Sequence, residues 1–251
     1  MKWGVRNLIV KTGSYSHIGK VRSRNEDSLI VGSGYAVVAD GMGGHSKGDV
    51  ASLMAVSAIK KKLENSKIKD SKKLLKAAVE AANTEIFEYA VENNYEGDMG
   101  TTVVACLWNE KTVTIANVGD SRCYCISKGK IDRITKDHSL VQQLVDNGEI
   151  TQEEAEKRTD KNVILRAVGC ERDVSVDIFE REVEDNDIYF LCSDGMSNLV
   201  KEDEIIDGIK GNDLQKSLEK LVALANSRGG SDNITVAAVK FTNDKNGEDV
   251  L

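Results

Sequence analysis

The sequence predicts an α+β fold in which two antiparallel sheets pack together and helices cover their outer faces. Three features point to it. Apolar runs of strand length recur, as at residues 35–39 and 188–192. Residues 50–63 and 70–89 switch to helical spacing, and more helical spacing follows residue 200. Strands and helices therefore come in blocks rather than in strict alternation, which is the pattern of a segregated α+β architecture.

Residues 14–18, 28–31 and 35–39 read as β segments punctuated by Gly19, Gly32 and Gly34. The polar run Arg22-Ser23-Arg24-Asn25-Glu26-Asp27 joins the first two, and its charge alone makes it a solvated connection. Val50, Leu53, Met54 and Ala58 share a helical face that continues through Ile59 and Leu63. A second helix begins near Asp70-Ser71 and carries Leu75, Val79, Ala82, Ile86 and Tyr89 at the same spacing. Residues 102–108, 112–117, 123–127 and 130–134 form a β succession joined by Asn109-Glu110 and Lys128-Gly129, and an antiparallel meander is its simplest arrangement.

Residues 136–166 are polar and helical in short pieces. Ser139 caps Leu140-Val141-Gln142-Gln143-Leu144-Val145, Gly148 closes it, and Thr151 to Glu154 has capping-box spacing. Residues 139–165 are thus expected to form a surface flap. Strands resume at 174–179 and 188–192, helices follow near 202–209 and through Leu214, Leu218, Leu221, Val222 and Ala225, and a last strand spans 234–239. No composition shift divides the chain. Residues 1–251 are expected to form one domain with a core from about 14 to 240.

With 251 residues, 40% hydrophobic and 30% charged, the chain has the balance of a globular protein able to bury a sizeable core. Its net charge of −7 opposes binding by phosphate neutralisation, so nucleic acid is not an expected partner. The apolar runs are too short to span a membrane, and the N-terminal stretch lacks a signal-length apolar core. A cytoplasmic protein is expected. The odd count of 5 cysteines, most within apolar runs, agrees with reduced thiols and offers no zinc spacing.

Four acids share one context: Asp40, Asp120, Asp194 and Asp232 each border an apolar strand beside glycine or another small residue. A single Asp-Gly step after a strand is only a turn. Four together predict carboxylates gathered at one rim of the sheets, where they repel unless a cation lies between them. Oxygen ligands without matching His or Cys suit Mg²⁺ or Mn²⁺. Three carboxylates against two divalent ions leave about one positive charge, enough to accept a phosphate. Two such ions sharing a carboxylate lower the pKa of a bridging water and clamp an in-line displacement at phosphorus. Arg22, close to Glu26 and Asp27, is the candidate for the phosphoryl oxygens because its planar fork suits them.

The elements Arg22-Ser23-Arg24-Asn25-Glu26-Asp27, Asp40-Gly41-Met42-Gly43-Gly44, Gly100-Thr101-Thr102, Asn117-Val118-Gly119-Asp120-Ser121-Arg122, Asp137-His138, Ser193-Asp194-Gly195 and Asp232-Asn233-Ile234-Thr235 resemble a known motif set. In their order they resemble that of the metal-dependent PPM/PP2C protein serine/threonine phosphatases in their compact bacterial form. The resemblance implies a central β-sandwich flanked by helix pairs. It implies two Mn²⁺ or Mg²⁺ ions, with Asp40 bridging both, the Gly41 carbonyl on one, and Asp194 with Asp232 on the other. By the same resemblance Glu26 and Asp27 orient metal-bound water, Arg22 binds phosphate, and Asp120 with Asp194 holds a third, weaker ion. Phosphorylated proteins, and a serine/threonine kinase with its substrates, are the implied partners of a monomeric enzyme.

Two positions depart from that pattern. Met42 stands where many eukaryotic members place a histidine proposed as general acid, so His45 or metal-bound water takes that role here. Asn198 stands where some relatives carry a further acid, which bears on the third ion. His138 is expected to be structural. A catalytically inactive binding relative would lack metal-site acids that are all present here, and a two-metal nuclease is opposed by the acidic balance.

Overall fold

The computed structural model describes residues 8–43, 47–211 and 213–243. One sheet has five strands in the order β1 (Leu8–His17), β11 (Ile234–Asn243), β10 (Ile188–Cys192), β7 (Arg122–Ser127) and β8 (Lys130–Arg133). The other runs β2 (Asp27–Gly32), β3 (Tyr35–Gly43), β5 (Val103–Trp108), β6 (Thr112–Val118) and β9 (Asp177–Glu182), and β4 (Met99–Thr101) adds to β3 beyond that path. Every strand pairing is antiparallel, as the chain order led one to expect.

Alternation along β3 shows how the layers form. Tyr35, Val37 and Ala39 pack under α1 (Gly48–Asn65) and α2 (Ser71–Glu92), while Ala36 and Val38 enter the layer between the sheets. Both faces of this strand are buried, so it reads as a continuous apolar run. Across the middle layer Phe241 meets the edges of Trp108 and Tyr189 at ring-centroid distances of 6.3 and 5.9 Å. The outer face of the five-stranded sheet is covered by α6 (Glu202–Ile209) and α7 (Leu214–Ser227), whose Ile205, Leu218, Leu221 and Val222 pack on Phe190, Val236 and Ala238.

Residues 139–165, where a surface flap is expected, contain α3 (Leu140–Asp146), capped by Ser139, and α4 (Gln152–Lys157), which has the Thr151–Glu154 capping box. Four expectations are corrected. The β succession after residue 101 is not one meander: β6 takes β9 as its neighbour, and the chain crosses to pair β7 with β8 in the other sheet. Gly119, at φ +101°, makes that crossing sterically accessible. β3 does not stop at Ala39 but continues to Gly43, because β4 pairs with Gly41 through Gly43. A short helix, α5 (Asp194–Ser197), follows β10, and β1 begins at Leu8.

Candidate active site

All five acids from the strand ends lie at one end of the sandwich. Asp40 follows Val38 on the face of β3 that looks between the sheets, and β2 sets Asp27 directly opposite it. Asp120 follows β6, Asp194 opens α5 after β10, and Asp232 precedes β11. Asp27 and Asp120 are buried, and Asp40, Asp194 and Asp232 are half-buried.

Their electrostatics are those of like charges confined together. Burial, then repulsion from Asp27, Asp194, Asp120 and Asp232, pushes the Asp40 carboxyl well above the usual range. Burial raises Asp27 to about 7, against hydrogen bonds that favour its charged form and include Ser193 Oγ at 2.8 Å. Burial and Asp194 raise Asp120 to about 8. Asp194 is raised by burial and Asp232, and is relieved in part by a hydrogen bond with Asp40 and by the charges of Arg122 and Lys161.

This donor set fits divalent cations. It is all oxygen, and the buried Oδ1 atoms of Asp27 and Asp120 have no hydrogen-bond partner, which leaves their lone pairs available to an ion or water. Among the described residues, no three His, Cys, Asp or Glu side chains already close on a point as a metal cluster. The acids are a repelling group that a cation would satisfy, rather than a finished cage.

Backbone geometry fixes where the acids stand. Thr102 Oγ1 accepts the Asp40 amide at 3.0 Å and meets Ser121 Oγ at 2.7 Å, which ties Asp40 to the loop of Asp120. The Asp40 carbonyl accepts from Thr101 Oγ1 at 2.9 Å and from the Thr102 amide at 2.9 Å. Gly41 donates its amide to the Glu26 carbonyl at 3.1 Å, and Ser52 Oγ donates to the same oxygen at 2.6 Å. A Cβ at Gly41 would collide with the Gly48 carbonyl at the start of α1. The glycine is therefore required by close backbone packing, whatever its carbonyl binds.

Arg22 lies beside the acids: its Nη2 donates to Asp232 Oδ2 at 2.8 Å, and half of its side chain stays exposed. Glu26 is half-buried at the same end, where burial raises its carboxyl against the pull of Arg22. His45 lies outside the described residues. Met42 is part of β3 and pairs with Gly100.

The match to known proteins follows this geometry. Residues 15–236 match the family model for Protein phosphatase 2C. The chain belongs to the protein phosphatase 2C family. The serine/threonine phosphatase stp of Listeria monocytogenes serovar 1/2a is 39% identical over 241 residues, covering 92% of this chain and 96% of that protein. The crystal structure of the Mycobacterium tuberculosis serine/threonine phosphatase PstP/Ppp superposes with a TM-score of 0.88 at 35% identity, covering 93% of this chain and 99% of that one. The catalytic domain of PstP in complex with 2 manganese ions gives 0.87 at 35% identity, covering 94% and 100%. Membership in the PP2C family agrees with the two antiparallel sheets and their flanking helices.

Several residues that organise this PP2C site carried no role in the sequence reading. Ser121 and Asn233 each follow a site acid, which was the available signal for them, whereas Thr101 and Thr102 were marked only by the Gly100-Thr101-Thr102 motif. Arg122 holds Asp137 through Nε at 3.2 Å to each oxygen and Nη2 at 2.7 Å to Oδ2, while Arg133 pairs with the same carboxylate. His138 is structural, as expected: its Nδ1 accepts the Gly119 amide at 3.0 Å, and Nε2 meets Asp177 at 3.1 Å.

Proposed function

We propose that this chain is a protein serine/threonine phosphatase that hydrolyses phosphoserine and phosphothreonine monoesters. The reading rests on the gathering of Asp27, Asp40, Asp120, Asp194 and Asp232 at one end of the sandwich, with Arg22 against Asp232. Asp40, the Gly41 carbonyl, Asp194 and Asp232 would hold two Mn²⁺ or Mg²⁺ ions, and Asp120 with Asp194 a third, weaker one. When bound, the ions acidify water and neutralise phosphoryl charge.

The chain's own groups do the rest. Arg22 presents a guanidinium fork to the phosphate, for which it exchanges its contact with Asp232. Asp27, held by Ser193, and Glu26, anchored through its backbone, orient water for attack on phosphorus. His45 is the candidate to protonate the leaving serine or threonine oxygen. Residues 1–251 form one phosphatase domain with its core at about 14–240 in this reading, and residues 139–165 form a flap over the substrate groove.

The substrates are phosphorylated proteins, with a serine/threonine kinase and its targets as the matching partners of a monomeric, cytoplasmic enzyme. No helix among the described residues is long and apolar enough to cross a membrane. Phosphate release from phosphoserine, phosphothreonine and phosphotyrosine peptides, with Mn²⁺ and then with chelator, tests the reading. Release from the first two peptides that chelator abolishes is the expected result. Absence of release with Mn²⁺ would instead favour a binding module, and turnover confined to a nucleic-acid diester would favour a nuclease.

A further inference from the structure

Asn233 follows Asp232, and its side chain is buried, 4% exposed. Its side-chain hydrogen bonds go to one loop. Nδ2 donates to the carbonyls of Ile18 at 2.9 Å and Arg24 at 2.8 Å, and Oδ1 accepts the Glu26 amide at 2.8 Å. An asparagine supplies both donors and the acceptor at one place, whereas a carboxylate there would face two carbonyls with nothing to donate. The three bonds bracket Arg22.

The same loop is held at its start. Lys20 donates its amide to the Gly230 carbonyl at 2.7 Å, and Gly19, at φ +84°, passes so close to the Asp232 carbonyl that a Cβ would collide with it. Arg22 itself is half exposed, and its contact with Asp232 is a single Nη2 bond. A long side chain so loosely held owes its location to its backbone, because freezing it by its own contacts would cost side-chain entropy.

We propose that Asn233 is a positioning residue: it clamps the 18–26 loop onto the start of β11 so that the Arg22 guanidinium faces the space beside Asp232 where the phosphate binds. The inference rests on the phosphatase reading of Arg22. It adds that phosphate capture and the metal-bearing acid are set by one amide, so Asn233 acts through Arg22.

A double-mutant cycle of Arg22→Ala and Asn233→Ala tests this on the Mn²⁺-loaded protein. The readouts are kcat and KM on a phosphothreonine peptide, and the rise in Tm produced by inorganic phosphate. Asn233→Ala is expected to raise KM about tenfold with a smaller change in kcat, to abolish the phosphate-induced rise in Tm, and to add nothing once Arg22 is gone. Effects that multiply in the double variant would overturn the clamp, as would Asn233→Ala with an unchanged response to phosphate. Gly19→Ala displaces the same loop without touching Asn233, so it serves where Asn233→Ala does not fold, and the same loss of phosphate response is expected. If the parent protein binds phosphate but releases none from peptides, the phosphatase reading fails while the phosphate response still decides the clamp.

Discussion

Asp27 and Asp40 are register partners across β2 and β3, which puts two carboxylates side by side in a buried end of the sandwich. Burial and mutual repulsion favour the protonated form, so the folded chain without metal holds protons that the unfolded chain has released. An acid raised in this way contributes stability that is complete below its unfolded pKa, near 4, and is lost as pH rises through its folded value, about 7 for Asp27 and about 8 for Asp120. The metal-free protein should therefore lose Tm between pH 5 and pH 8.5, at about 2–4 °C for each kcal/mol. Asp120→Asn should flatten that slope, and Mn²⁺ should raise Tm more at pH 8 than at pH 5.5. Differential scanning fluorimetry across pH reads both, and parallel curves for the parent and Asp120→Asn would rule out the linkage.

Asp40→Asn should separate catalysis from folding. The side chain keeps its shape but loses the charge proposed to be shared by both ions, so turnover should fall by more than about 100-fold, beyond what residues outside the ligand shell contribute. At neutral pH the metal-free variant should be more stable than the parent, since folding no longer requires this buried carboxyl either to stay charged or to take up a proton. Circular dichroism with a phosphopeptide assay checks this. Near-normal turnover would remove Asp40 from the bridging role.

The fold was legible in the sequence wherever period and punctuation agreed. β3 alternates between two cores, which made its start legible, and α1 and α2 carry apolar stripes, so the bounds of those helices were near those expected. The acids were legible because each interrupts an apolar strand beside a small residue. Long-range pairing was not legible: nothing local in residues 112–134 says that β6 joins β9 while β7 joins β10, since that choice is made by packing between sheets. The supports of the site were hidden for the same reason. Asn233 and Thr102 act on residues 207 and 62 positions away, through Glu26 and Asp40 respectively.

Gly41 distinguishes packing from ligation. Alanine there would place its Cβ against the backbone carbonyls of Gly48 and Glu26, which cannot swing away as a side chain could. Gly41→Ala should cost at least about 2 kcal/mol in urea unfolding of the metal-free protein. Gly97→Ala, at φ +79° with nothing within 4 Å, bears only backbone strain and should cost about 1 kcal/mol. A neutral Gly41→Ala in metal-free protein would show that the glycine serves the ion alone.

Asn198 sets the charge at the outer edge of the site. Its Nδ2 donates to Asp194 Oδ2 at 3.0 Å, and its Oδ1 accepts Lys161 Nζ at 3.1 Å. Lys161 is thereby connected through a neutral amide to an acid whose carboxyl is raised by burial and Asp232 and partly relieved by Lys161 itself. Asn198→Asp would place a second carboxylate against Asp194 and remove the donor that now satisfies it. The nearest remedy is a cation, so the weakest Mn²⁺ step in a calorimetric titration should tighten about tenfold, a difference of about 1.4 kcal/mol. Lys161→Ala should shift the same step in the same direction by a smaller factor, because it removes an exposed, screened charge. If neither variant alters that step, Asn198 and Lys161 do not govern the proposed third ion, and the site's outer charge is set by Asp120 instead.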